Sequence, residues 1–189
     1  MQRPDLNRRR IASGLAALGI GALLLAPTPA SSATRSESLA SFEGTTIDLR
    51  QGWGEATACL TDGQSTSCYR TPEEMYAAES LAAAAPTEST SSAAVVVPLL
   101  ACGTATRLWN GTSYSGLELD IASRGLILNL SAYGFDNATS SYWIGTCNTT
   151  FYDGASGGAP TYPGGTAAGN HSATMSSGWD NRVSSIYLA

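Results

Sequence analysis

The chain has 189 residues and a formal net charge of -5, with 10 basic residues against 15 acidic ones. Every basic residue is Arg, and four of them lie in the first 33 residues beside a single Asp, so the remainder carries six Arg and a net charge of -8. That balance excludes a nucleic-acid backbone as partner, because phosphate binding needs clustered positive charge.

Residues 1–33 read as a secretory signal peptide. Arg3, Arg8, Arg9 and Arg10 form a basic start, Ile11 to Ala26 is mostly apolar, and Ser31 and Ala33 stand where cleavage after Ala33 would require small residues. The apolar run is short and Gly-rich and no charged cluster follows it, which sets it apart from a stop-transfer anchor. The expected location is secreted and extracellular, with no membrane attachment once the signal is removed. Four cysteines in an exported chain point to disulfides. They allow three pairings. Cys59–Cys68 and Cys102–Cys147 are favoured because each pair lies within one apparent domain. A zinc site is the rival, disfavoured by the lack of a Cys-x-x-Cys pair and by a single histidine.

Residues 34–85 are expected to form a small hairpin-helix unit. Thr45 to Leu49 and Ala56 to Leu60 alternate as strands, Asp62-Gly63 turns the chain, and Thr66 to Tyr69 returns. Thr71-Pro72-Glu73-Glu74 has the order of a helix start: a capping Thr, Pro in the first turn and Glu three residues after the cap. The helix should run to about Ala84, where Pro86 stops it. Residues 86–100, rich in Ser, Thr, Ala and Val, read as a linker. Residues 101–189 read as an all-β domain. Leu117 to Ile121, Leu126 to Leu130, Tyr142 to Ile144 and Ile186 to Leu188 are short strands separated by Gly, Asn and Ser, which suits one small sandwich.

Within that domain a pattern occurs twice. Asp136-Asn137-Ala138-Thr139-Ser140-Ser141 and Asp180-Asn181-Arg182-Val183-Ser184-Ser185 share two Asp/Asn residues, two variable positions and Ser-Ser. Each run follows a cysteine (Cys102, Cys147), an aromatic (Trp109, Phe151) and a glycine seven positions beyond the aromatic (Gly116, Gly158). Asp carboxylates, Asn amide oxygens, Ser hydroxyls and backbone carbonyls are hard ligands of the kind Ca²⁺ prefers. An internal repeat of this length is a statement about architecture.

The two halves resemble the βγ-crystallin superfamily. Its domains hold two Greek-key motifs, each with an aromatic-x6-Gly hairpin and, in microbial members, an (Asp/Asn)-(Asp/Asn)-x-x-(Ser/Thr)-Ser calcium motif. The arrangement is similar to exported actinobacterial proteins of that group. The resemblance covers roughly residues 101–189. It implies an all-β sandwich of two Greek keys, calcium as the bound ion and no catalytic activity. It also implies interleaved sites. Ser140 and the Ala138 carbonyl would share one ion with Asp180 or Asn181. Ser184 and the Arg182 carbonyl would share the other with Asp136 or Asn137, the Arg182 cation being turned to water. One departure stands out: Ala159 to Gly165 has little apolar alternation, so the second motif is expected to have a distorted hairpin and a long loop to about Gly178. The alternative function that the same superfamily implies is a secreted peptidase inhibitor or killer-toxin-like protein. It would act on an extracellular protein target, such as a protease, through that loop or through the Cys59–Cys68 hairpin.

Other constellations weigh less. His171 falls in an expected loop with no nucleophile elbow near it. Glu118 and Asp120 share one face of a strand, the spacing expected of a solvent-facing surface rather than of a glycosidase pair. Tyr142 and Trp143 must point to opposite faces, one to the core and one to the surface. Trp109 is expected at the core or at a hairpin corner. Five Asn-x-Ser/Thr sequons are expected from composition alone.

Overall fold

A computed structural model of the chain describes residues 38–84 and 102–189, with backbone alone for 82–84; the expected signal peptide and the linker 86–100 fall outside the described residues. The second segment holds eight strands: β5 (Thr106–Gly111), β6 (Ser115–Ile121), β7 (Ile127–Asn129), β8 (Ser141–Trp143), β9 (Thr149–Gly154), β10 (Gly158–Thr161), β11 (His171–Ser172) and β12 (Ser185–Leu188). The first holds β1 (Leu39–Phe42), β2 (Thr45–Asp48), β3 (Ala58–Thr61), β4 (Thr66–Tyr69) and the helix α1 (Pro72–Ala84).

Two sheets result. Sheet A has the order β11-β8-β5-β6-β3-β4-β1-β2, and sheet B the order β10-β9-β12-β7. The strand order has one physical consequence at once. The β5–β6 and β9–β10 hairpins each keep their own fourth strand (β8, β12) beside them, but each third strand crosses to the other sheet: β7 pairs with β12, and β11 with β8. These are two Greek keys that exchange one strand. Period-two alternation supplies the core between them. Leu108, Leu119, Ile121 and Tyr142 of sheet A meet Leu128, Phe151, Ile186 and Leu188 of sheet B, all buried. The Cys102–Cys147 disulfide joins the residues that precede β5 and β9. Just beyond it, the buried Thr106 and Thr149 hydroxyls meet at 3.0 Å.

This symmetry corrects the alignment of the two halves. Trp109 lies opposite Ser141, and the residue opposite Ser185 is Tyr152, not Phe151. Phe151 lies opposite Ile186, as Leu108 lies opposite Tyr142, and points into the core. The counterpart of Gly116 is therefore Ala159. Gly116 needs its glycine, since φ is +85° and a Cβ would stand 2.1 Å from Asn110 Oδ1. Both hairpins turn through two residues at positive φ, Ser113-Tyr114 and Ser156-Gly157; the second then departs with the cis Ala159–Pro160 peptide and a register shift between Gly158 and Thr161, which is the distortion expected there. Its long return is anchored by Tyr162, which packs edge-on against Tyr142 and Trp179.

The first segment extends sheet A. β3 pairs parallel to β6, Cys59 opposite Leu119, and β3–β4 forms the expected hairpin with Cys59 directly opposite Cys68, the second disulfide. β1, which alternation had not revealed, pairs parallel with β4 and closes on β2 through Glu43-Gly44, both at positive φ as a tight hairpin turn requires. Trp53 then docks on the other segment, its Nε1 donating to the Tyr133 carbonyl at 2.8 Å. Gly134 permits this approach, because a Cβ there would meet the Leu49 carbonyl at 2.3 Å. In α1 the Thr71 hydroxyl accepts from Glu74 N–H at 3.3 Å, as the start signal predicted, while the Glu74 carboxylate reaches one residue past the cap to accept from the Arg70 amide at 3.1 Å.

Two surface expectations are overturned by this arrangement. Glu118 and Asp120 are 1% and 0% exposed, because β3 pairs along the edge of β6 and α1 brings Tyr76 onto a face that a free sandwich would leave wet. His171 is not in a loop: it forms β11 opposite Trp143, exposed and stacked on that indole at 5.0 Å. Trp143 is itself 48% exposed while Tyr142 is buried, so the two point to opposite faces as alternation required, with Tyr142 the inward one.

Candidate metal centre

The two Asp-Asn-x-x-Ser-Ser runs lie side by side and bond to each other. Asn137 N–H donates to the Val183 carbonyl and Asn181 N–H to the Thr139 carbonyl, each at 3.0 Å. Both asparagines take the left-handed conformation, φ 53° and 55°, which Asn tolerates better than most residues. The crossing places each motif's first serine against the other's asparagine. Ser140 Oγ lies 3.3 Å from Asn181 Oδ1, and Ser184 Oγ lies 3.3 Å from Asn137 Oδ1. Of each Asp/Asn pair it is thus the Asn that faces the opposite serine. Asp136 and Asp180 sit one residue back, exposed, each accepting from the neighbouring Asn amide nitrogen at 3.2 and 3.4 Å.

The strands fix this geometry symmetrically. Ser140 N–H donates to Trp109 O and Ser184 N–H to Tyr152 O, and their carbonyls accept from Met175 and Leu130. The second serine of each run, whose separate task composition did not suggest, ties down the hairpin. Ser141 Oγ donates to Gly111 O and accepts from Tyr114 N–H, at 2.6 and 3.1 Å. Ser185 Oγ does the same with Gly154 O and Gly157 N–H, at 2.6 and 2.9 Å. The periodicity of two could have found it: adjacent serines in a strand face opposite ways, so only one of each pair can point to a shared centre.

Arg182 departs from expectation. Its cation does not simply face water; Nη2 pairs with Asp153 at 2.8 Å, Nη1 donates to the Gly178 carbonyl at 3.2 Å, and the guanidinium lies 5.2 Å from the Trp179 ring centre. A fixed Arg182 leaves its own carbonyl as the group it can offer at the motif. The hydrogen bond from Arg182 holds the Asp153 carboxyl below its usual range. Ala138 is half-buried with its side chain against the core.

The residues present fit a hard divalent cation. Each corner brings together a hydroxyl, an amide oxygen and a nearby carboxylate, all hard oxygen groups, and each Asn turns its nitrogen to its own Asp and its oxygen to the serine. Among the described residues there is no cluster of three or more His, Cys, Asp or Glu side chains that could hold a metal. The oxygens that these corners bring closest, Ser140 Oγ with Asn181 Oδ1 and Ser184 Oγ with Asn137 Oδ1, are neutral.

Two Greek keys that exchange their third strands define the class of this fold: an all-β sandwich with paired motif loops at its seam. The chain resembles βγ-crystallin domains. Three solved structures are similar: the βγ-crystallin of Ciona intestinalis (17% identity, 45% of this chain and 99% of that one, TM-score 0.37), the N-terminal domain of protein S (17%, 45% and 94%, 0.37) and a βγ-crystallin domain from Flavobacterium johnsoniae (18%, 44% and 92%, 0.35). No family model and no curated protein matches the chain. Among the described residues no helix is long and apolar enough to cross a membrane.

Proposed function

We propose that this is a secreted, non-catalytic calcium-binding protein whose two motif runs hold one ion each. The observation that carries the reading is the reciprocal approach of Ser140 to Asn181 and of Ser184 to Asn137. One site would comprise the Ser140 hydroxyl, the Ala138 carbonyl and Asn181, with Asp180 adjacent. The other would comprise the Ser184 hydroxyl, the Arg182 carbonyl and Asn137, with Asp136 adjacent. A bound ion would supply charge that draws these neutral oxygens together and ties the two keys at their seam. With about one carboxylate per site, the affinity belongs at the weak end, roughly 10⁻⁵–10⁻³ M, which suits extracellular calcium. At 100 times the dissociation constant, binding to the folded state alone adds about 2.7 kcal/mol of stability.

Calorimetric titration of calcium into the chain from residue 34 onward tests this. The expected result is two sites, with Ser140→Arg and Ser184→Arg each removing one. No heat of binding, together with a melting temperature indifferent to calcium, would refute the reading.

A further inference from the structure

The outer face of sheet A carries a cluster that the motif runs do not use. Tyr76 of α1 donates its hydroxyl to Glu118 Oε1 at 2.5 Å. Arg107 of β5 lies across the same spot, its Nε 3.2 Å from Asp120 Oδ2 and 4.0 Å from Glu118 Oε1, its Nη2 3.7 Å from Glu79 Oε2, and its guanidinium 4.2 Å from the Tyr76 ring centre. Among the described residues, the charged and titratable groups facing Asp120 are Glu118 on its own strand, Arg107 from β5, and Tyr76 and Glu79 from α1; β3 brings only Leu60 opposite it. Three carboxyl groups therefore share one guanidinium.

Neither Asp120 oxygen receives a hydrogen bond, since Arg107 is close but not aligned with it. A fully buried carboxylate without a donor is far costlier than the neutral acid. A protonated Asp120 resolves the conflict, donating its own proton to Glu118, which also accepts from Tyr76. The same helix forms one wall of a cavity of about 540 Å³, where Tyr76, Glu79 and Ser80 face Leu60, Arg107 and Ala122.

We propose that α1 is a proton-held latch: the proton on Asp120, facing Glu118, keeps the helix seated on sheet A, and its loss releases the helix and widens the cavity. Burial, then Glu118, push the Asp120 carboxyl well above the carboxylate range, against the pull of Arg107; burial also raises Glu79. Once the helix lifts, water reaches Asp120 and its carboxyl moves back toward the ordinary carboxylate value. The closed form thus binds more protons. Its advantage is complete below that ordinary value and is lost as pH rises through the raised one. Within the window, releasing one proton on opening raises the opening constant about tenfold per pH unit.

Hydrogen exchange of the calcium-free chain at pH 5 and pH 8, corrected for intrinsic rates, tests the latch. Wild-type α1 should be less protected at the higher pH while β9 and β12 keep their protection. Asp120→Asn, which can donate to Glu118 but cannot ionise, should hold α1 equally at both. Equal α1 protection in wild type at both values, or an Asn variant with the wild-type pH dependence, overturns the proposal. Should that variant not fold, a ¹³C titration of the wild-type Asp120 carboxyl decides: a midpoint near 3.8 refutes the latch, and one well above it supports it. The outcome does not depend on calcium, so the latch and the metal reading can fail separately.

Discussion

Thr139 and Val183 occupy the same position in the two halves, both fully buried, yet the Thr139 hydroxyl has no hydrogen-bond partner. A buried hydroxyl left without a partner is destabilising, and Val has nearly the same shape. Thr139→Val should therefore stabilise the fold by about 1 kcal/mol, read as a higher denaturant midpoint with an unchanged slope. An equal or lower midpoint would mean that the hydroxyl is satisfied after all. Individual residues were unevenly legible in the sequence. Ser140, Asn181 and their counterparts could be paired from the repeat alone. Which of each Asp/Asn pair faces the serine could not, because it depends on the left-handed turn at Asn137 and Asn181 and on how the loops cross. Arg182 was misread for a related reason: Asp153 is 29 positions away in sequence and reaches it only through the β9–β12 pairing.

At the level of hairpins, Ser141 and Ser185 each clamp a turn through one donated and one accepted hydrogen bond. Ser141→Ala and Ser185→Ala should each cost about 2 kcal/mol, because both backbone partners lose their bond at once. Chemical denaturation of the two variants checks this, and near-equal losses are expected from the matched geometry. A loss under about 0.5 kcal/mol in either would show that the turn holds itself. The strands, the helix start and the all-β class followed from alternation and capping chemistry. The equivalence of Trp109 with Tyr152 did not, because an aromatic and a glycine at the right spacing occur one residue early in the second half. Only the pairing partner of each strand residue, Ser141 or Ser185, separates the aromatic on the outer side of its strand from its neighbour that points between the sheets. The burial of Glu118 and Asp120 was illegible for a similar reason. A strand of alternating residues looks half-wet until something packs on its polar side, and here that something comes from residues 58–84.

Over the whole molecule, two opposite proton linkages meet. Glu43 and Asp153 are held below their usual range by hydrogen bonds from Arg70 and Arg182, so what they contribute is present above about pH 4.5 and is lost as pH falls through their lowered values. Asp120 and Glu79 are raised, so what they contribute is greatest in acid and fades as pH climbs. Without calcium, the melting temperature should therefore peak on the acid side of neutrality, and Asp120→Asn should flatten the fall on the alkaline side. A wild-type profile flat from pH 4 to pH 9 would contradict this. The parallel seam between β3 and β6 has a further consequence, independent of charge. Cut away residues 38–84, and sheet A ends at β6 instead of β2, a bare edge whose amides and carbonyls are free to recruit another chain. Such a fragment should grow in light-scattering mass with concentration more steeply than the full chain, whose sheet A ends on the shorter β2; equal growth would show that the first segment does not guard against self-assembly.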